Sequence, residues 1–280
     1  MRSVSHLAGA VPRRAARASK PAIRRVWRRA VRARAVDETA VSAGRSAVVV
    51  APHPDDETLG CGATIARKRA AGTDVSVVVV TDGRYSHRSQ VISPDELAAI
   101  RADEARAACA VLGVDAGALH LLGFEEGTVA ARREEVSRRI AEIVDDARPD
   151  EVLTTYRRDW HVDHRAVSAA VDAAAAGASR PRVLEFPIWY WVDGPWVAEP
   201  GTTTTVRRYL SDPLRAARLQ TVGVRTGDHL AAKRAALAAY RSQTTNLTGE
   251  RNWAVMDERL LGLFLAPVEL FVPVGAEAQG

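Results

Sequence analysis

Two short stretches of this 280-residue chain concentrate the side chains best suited to chemistry. The first is His53-Pro54-Asp55-Asp56-Glu57, an imidazole and three carboxylates within five positions. The second, about a hundred residues on, is Asp159-Trp160-His161-Val162-Asp163-His164. Imidazoles and carboxylates suit a divalent cation, and the first run lacks the glycine amides that cradle a phosphate. Each stretch also has a plainer reading. Carboxylates in a first helical turn complement the helix dipole and cap free amides. Histidines at i and i+3 near a helix start can simply be surface groups.

What joins the two stretches is the element that must precede each. Ala47–Val50 and Glu151–Thr154 read as strands, and Thr58–Ala71 and His164–Ala176 as the helices that follow. Val75–Thr81 is continuously apolar, as a strand covered on both faces is. Asp95–Leu112 reads as a helix capped by Ser93, Leu119–Leu122 as a strand, Ala130–Ala147 as an amphipathic helix and Val183–Trp191 as a further strand. Strands alternating with helices of this length predict an α/β fold, a Rossmann-like, mostly parallel sheet with helices on both faces. In such a sheet, ligands bind beyond the carboxyl ends of the strands. Both His/Asp stretches fall there, and together they could supply three ligands and an open position for water. Towards the end, Thr203–Leu210 alternates like a strand, Leu230–Ser242 is helical and Pro267–Val274 has a strand-like centre.

Charge divides the chain unevenly. The net charge is +5, yet residues 1–45 hold twelve of the 39 basic residues and only two of the 34 acidic ones. The remainder is therefore mildly acidic. Residues 1–45, rich in Arg and Ala, read as a disordered arm preceding one domain over 46–280. Within the arm, Ile23, Val26, Trp27, Ala30 and Val31 form a helical apolar stripe opposite Arg24, Arg25, Arg28, Arg29 and Arg32. That pattern suits a basic helix on an anionic membrane or nucleic acid, and equally a helix docked on its own domain. Two cysteines are too few for a disulfide framework, no apolar run approaches a membrane span, and no secretory leader pattern stands at the start, so a cytoplasmic protein is expected, with the arm as a peripheral contact. Oligomeric state is not legible.

His53-Pro-Asp-Asp-Glu57 after an apolar strand, with His161-x-Asp163-His164 later, resembles the PIG-L/LmbE family of zinc-dependent N-deacetylases. Thr81-Asp-Gly83, Arg101-x-x-Glu104 and the Lys233…Ser242-Gln243 segment resemble further family features, over roughly residues 46–272. The resemblance implies His53, Asp56 and His164 as ligands of Zn²⁺, with Fe²⁺ or Co²⁺ compatible with the same donors. It implies Asp55 as general base and His161, oriented by Asp163, facing the oxyanion. Arg101, Glu126 and Trp160 are candidates for substrate contact, against packing or helix salt bridging for Arg101 and Trp160. Glu126 stands where some family members carry Asp, and Val162 where Pro is usual.

The expected function is hydrolysis of the acyl group, most simply acetyl, of an N-acylated amino sugar or its conjugate. Two alternatives stay open: an amidase of a larger thiol or glycoconjugate, and a non-catalytic binding protein using its basic arm. No G-x-S-x-G elbow is present, and Pro-His-Pro-Asp-Asp after the first strand argues against a dinucleotide-binding dehydrogenase.

Overall fold

A computed structural model describes residues 21–177, 180–195 and 219–275. Its centre is the run of parallel strands β2 (Ala47–Ala51), β3 (Val75–Thr81), β4 (Leu119–Phe124), β5 (Glu151–Thr155) and β6 (Arg182–Phe186). Three more strands, β1 (Val36–Asp37), β7 (Val222–Arg225) and β8 (Val268–Pro273), complete an eight-stranded sheet of order β1-β7-β8-β6-β5-β2-β3-β4. The pairs from β6 to β4 are parallel, whereas β8 runs antiparallel to both β6 and β7. The expected α/β architecture is present.

Strand alternation explains how the core forms. Val48, Val50, Val78, Val80 and Val152 face helices α5 (Arg133–Ala147) and α6 (Val162–Ala174) on one side of the sheet. Val49, Val77, Val79 and Leu153 face the other side, where α3 (Asp56–Ala70), α4 (Pro94–Val111) and α8 (Leu230–Ala239) lie. With both faces covered, β2, β3 and β5 are buried almost end to end, and β2 and β3 are built mainly of valine. Ser93 caps α4 as expected, accepting from Glu96 N while the Glu96 side chain returns to Ser93 N. Close packing is tightest where α3 meets β6. A Cβ on Gly60 would stand 2.1 Å from the Phe186 ring.

Several elements differ from expectation. Residues 21–45, assigned to a disordered arm, instead form α1 (Pro21–Arg34), β1 and α2 (Thr39–Ala43). The apolar stripe is what docks α1: Trp27 and Val31 are buried, with Trp27 packed on Tyr190 and Trp191. Residues 1–20 lie outside the described residues, as does the strand expected over Thr203–Leu210. The strand expected over Val183–Trp191 ends at Phe186, and Trp189–Asp193 is the short helix α7. Pro187 has no amide for a sheet ladder, and the next three amides are taken by Asp159. The helix expected over Leu230–Ser242 breaks at Tyr240, after which Arg241–Thr244 forms α9. A helix α10, Glu258–Phe264, precedes β8.

Candidate metal centre

Strands β2 and β5 are hydrogen-bonded neighbours, so the loops leaving their carboxyl ends are adjacent. The β2 loop carries His53 to Asp55, and α3 opens with Asp56 and Glu57. The β5 loop carries Asp159 to His161, and α6 supplies Asp163 and His164. Asp55 takes φ +123° and ψ −28°, a conformation that costs an L-residue on the order of 1–3 kcal/mol and persists only where surroundings enforce it. Here the Asp55 amide donates to Glu57 Oε2 (3.1 Å), and buried Arg101 donates to Asp55 Oδ2 (3.1 Å) and to the Pro54 carbonyl. Gly83 makes room for that guanidinium, since a Cβ there would lie 2.6 Å from Arg101 Nη1.

Asp56 Oδ2 lies 3.2 Å from His53 Nδ1 and 3.3 Å from His164 Nε2. Zinc bonds of about 2.0–2.1 Å in a tetrahedron set donor atoms roughly 3.3 Å apart, so these edges match a metal site. His164 Nε2 is fully buried and has no hydrogen-bond partner, an arrangement a cation would satisfy. The ligating atoms of His53, His161 and His164 also all lie within 4.8 Å of one another. The other ring nitrogens are held from behind. His53 Nε2 is 3.3 Å from Asp163 Oδ2, and His164 Nδ1 is 2.8 Å from Asp159 Oδ2. Such carboxylates fix the tautomer and orientation of a ligating imidazole.

This geometry corrects the expectation for Asp163. Its carboxylate faces His53 and accepts from the Gly127 amide (2.8 Å), while only its backbone amide reaches His161, donating to Nδ1 at 3.3 Å. A ring that accepts at Nδ1 is neutral and carries its proton on Nε2. His161 is accordingly pushed down to about 3, by burial and by the neighbouring His53 and His164.

The other groups split in opposite directions. Burial acts to lower His53, but the hydrogen bonds of Asp163 and Asp56 outweigh it and raise the ring to about 9. His164 rises to about 10, where the charge of Asp56 and the hydrogen bond to Asp159 outweigh burial. Asp56 is held far below the carboxylate range because the neighbouring charges of His164 and His53 overcome its burial. Burial lifts Asp55 to about 8 despite the opposing charge of Arg101, with Asp56 and Glu57 adding to the rise.

A cavity of about 370 Å³ opens over this cluster, within the size range of small-molecule sites. Arg101, Glu126 and Trp160 all line it, together with His53, Asp55, Asp56 and His161. Arg101 is committed to Asp55 and the loop carbonyls, so its first role is to hold that loop. Glu126 accepts from the Tyr85 amide at 2.9 Å, and Trp160 Nε1 donates to Asp193 at 3.0 Å. Three further residues stand in the wall: His87, which carried no functional expectation, stacked on Trp253 at 4.2 Å; Gln243 of the Ser242-Gln243 segment, 3.1 Å from His87; and Trp189. Glu104 accepts from both Ser242 N and Oγ, which places Gln243 at the wall. The Arg101-x-x-Glu104 and Ser242-Gln243 motifs thus meet in space.

A family model described as GlcNAc-PI de-N-acetylase, PIG-L, matches residues 48–175. The 1D-myo-inositol 2-acetamido-2-deoxy-alpha-D-glucopyranoside deacetylase 2 of Catenulispora acidiphila is 33% identical over 252 residues, covering 72% of this chain and 80% of that protein. The chain belongs to the PIG-L family. Among solved structures, the zinc-inhibited form of a teicoplanin deacetylase covers 81% of this chain and 97% of its own at TM-score 0.58 and 19% identity. The 4-carboxy-2-hydroxymuconate hydratase of Pseudomonas putida covers 82% and 96%, at TM-score 0.59 and 17% identity. These two likenesses show the fold alone, and one of the two proteins is a hydratase, so function rests on the site.

Proposed function

We propose that this chain is a zinc-dependent hydrolase that removes an acyl group, most simply acetyl, from an N-acylated amino sugar or its conjugate. The observation that carries the reading is the convergence of His53 Nδ1, Asp56 Oδ2 and His164 Nε2, with tetrahedral edges, beneath a cavity that Asp55 also lines. Zinc held by these three would lower the pKa of a coordinated water toward ~7 and polarise the amide carbonyl. Asp55, fixed by Arg101, takes the proton of the attacking water and returns it to the departing amine. The neutral His161 ring, its proton on Nε2, donates to the developing oxyanion. Asp163 serves both histidines, its carboxylate on His53 and its amide on His161. The C–N bond breaks, hydroxyl stays on the acyl carbon and the amine leaves protonated. Glu126 and Trp160 meet the sugar from the cavity wall.

Among the described residues, no helix is long and apolar enough to cross a membrane. The proposal keeps the chain in the cytoplasm, with exposed Arg25, Arg29 and Arg34 of α1 as the groups that would meet an anionic surface.

The test joins metal content to acetate release over a panel of N-acetylglucosamine conjugates. The purified protein should hold one zinc and release acetate, and His164→Ala should lose both. Asp55→Asn should keep the metal and lose roughly 10²–10⁴-fold in turnover. Chelation should abolish release and added zinc restore it. A protein with no metal and no acetate release ends this reading.

A further inference from the structure

Asp159 is fully buried and accepts four hydrogen bonds from two unrelated parts of the chain. Its Oδ2 lies 2.8 Å from His164 Nδ1, and it also receives the amides of Ile188 (3.2 Å) and Trp189 (3.3 Å). Its Oδ1 receives the amide of Tyr190 at 2.6 Å. A carboxylate only accepts, and all four partners can donate, so the set is internally consistent and places the His164 proton on Nδ1. Nε2 is then the nitrogen that would turn to a metal beside Asp56.

The three amides lie at the N-cap Ile188 and the first two residues of α7, and Ile188, Trp189 and Val192 line the cavity. With five residues, α7 is too short to hold itself as a helix. Its far end is fixed from α1, where Arg28 Nη1 donates to the carbonyls of Trp191 (2.9 Å) and Val192 (3.3 Å) and Arg24 pairs with Asp193 at 3.8 Å. Asp193 in turn accepts from Trp160, whose ring lies 5.2 Å from that of Trp189. The aromatic wall is therefore clamped at one end by the carboxylate that orients His164, and at the other by the N-terminal helix.

We propose that Asp159 is a positioning residue that sets the metal ligand His164 and the aromatic wall of the cavity together, so that the wall is ordered when the metal is bound. The proposal rests on the de-N-acetylase reading for the reaction and the metal. Replacing Asp159 by Asn keeps its volume but turns an –NH₂ group toward at least one N–H, which breaks the set without opening a cavity. Arg28→Met releases only the far end of α7.

The experiment measures zinc affinity by competition with a chromophoric chelator, and KM and kcat at saturating zinc. In parallel, hydrogen exchange is followed in the wild-type peptide spanning residues 187–193, with zinc and after chelation. Asp159→Asn is expected to weaken zinc binding about 10–100-fold and to raise KM even when the metal is replete. Arg28→Met should raise KM with zinc affinity within twofold of wild type. In the wild type, chelation should speed exchange in 187–193 and leave 119–124 unchanged, a readout that needs no variant to fold. Zinc affinity unchanged in Asp159→Asn, or exchange in 187–193 indifferent to metal, overturns the proposal and leaves the de-N-acetylase reading intact. A wild-type protein that binds no zinc overturns both.

Discussion

Tyr240 Oη donates to Glu57 Oε1 at 2.5 Å across 183 residues of sequence, and both side chains are fully buried. Glu57 is the residue whose other oxygen holds the Asp55 amide, so a phenol from the end of α8 supports the strained turn under the proposed base. Burial raises the Glu57 carboxyl despite its hydrogen bonds from Thr58 and Tyr240. Tyr240→Phe should leave that carboxylate short of a donor, at about 1–3 kcal/mol. Differential scanning calorimetry should show the lower melting temperature, and turnover should fall more than metal content. An unchanged melting temperature would remove Tyr240 from this role.

The N-terminal helix invites a stability measurement of its own. Trp27 is buried against Tyr190 and Trp191, so Trp27→Ala should destabilise the fold by about 3–5 kcal/mol in urea unfolding. An arm free in solution would give a change near zero.

Glu38 offers a pH dependence whose sign can be worked out. The hydrogen bond from Arg182 lowers its pKa, burial opposes, and the charges of Arg182 and Arg45 lower it further, leaving it below the ordinary 4.5. A carboxyl depressed in the folded state stabilises the fold above its unfolded value, and that contribution is lost as pH falls through the folded one. Between pH 5 and pH 3 the urea midpoint of the wild type should therefore fall more steeply than that of Glu38→Gln. Parallel curves would show that the Glu38–Arg182 pair contributes nothing on balance.

Sequence made the centre of the molecule readable and its periphery less so. β2 and β3 are runs of valine and β5 has Val152 and Leu153 at its centre, and each was found within a residue or so of its observed ends. The two His/Asp stretches were readable because both immediately follow such strands. Trp189-Tyr190-Trp191 has the composition of a strand, and it turns helical after Pro187 because Asp159 takes the amides at its start and Arg28 the carbonyls at its end. Backbone amides leave no signature in sequence, which is why Asp159 drew no role. β7 was missed because Val222-Gly-Val-Arg225 is short and contains glycine. β8 carries the buried Glu269, whose partners Lys233 and the amides of Ala63 and Thr64 lie far away in the chain. Asp163 was linked to the nearer histidine in sequence, whereas the fold hands its carboxylate to the one 110 residues earlier.

The direct pairing of β2 with β5 also dictates when the centre comes into being. Val49 stands opposite Leu153, and no local contact can bring such distant segments together. Parallel pairing across a hundred residues is a slow, high-contact-order step. His53 and His164 cannot converge before that step is complete, so a nascent or partly collapsed chain has no preformed place to capture a cation. Metal uptake in a refolding experiment would thus serve as a clock for closure of the central sheet.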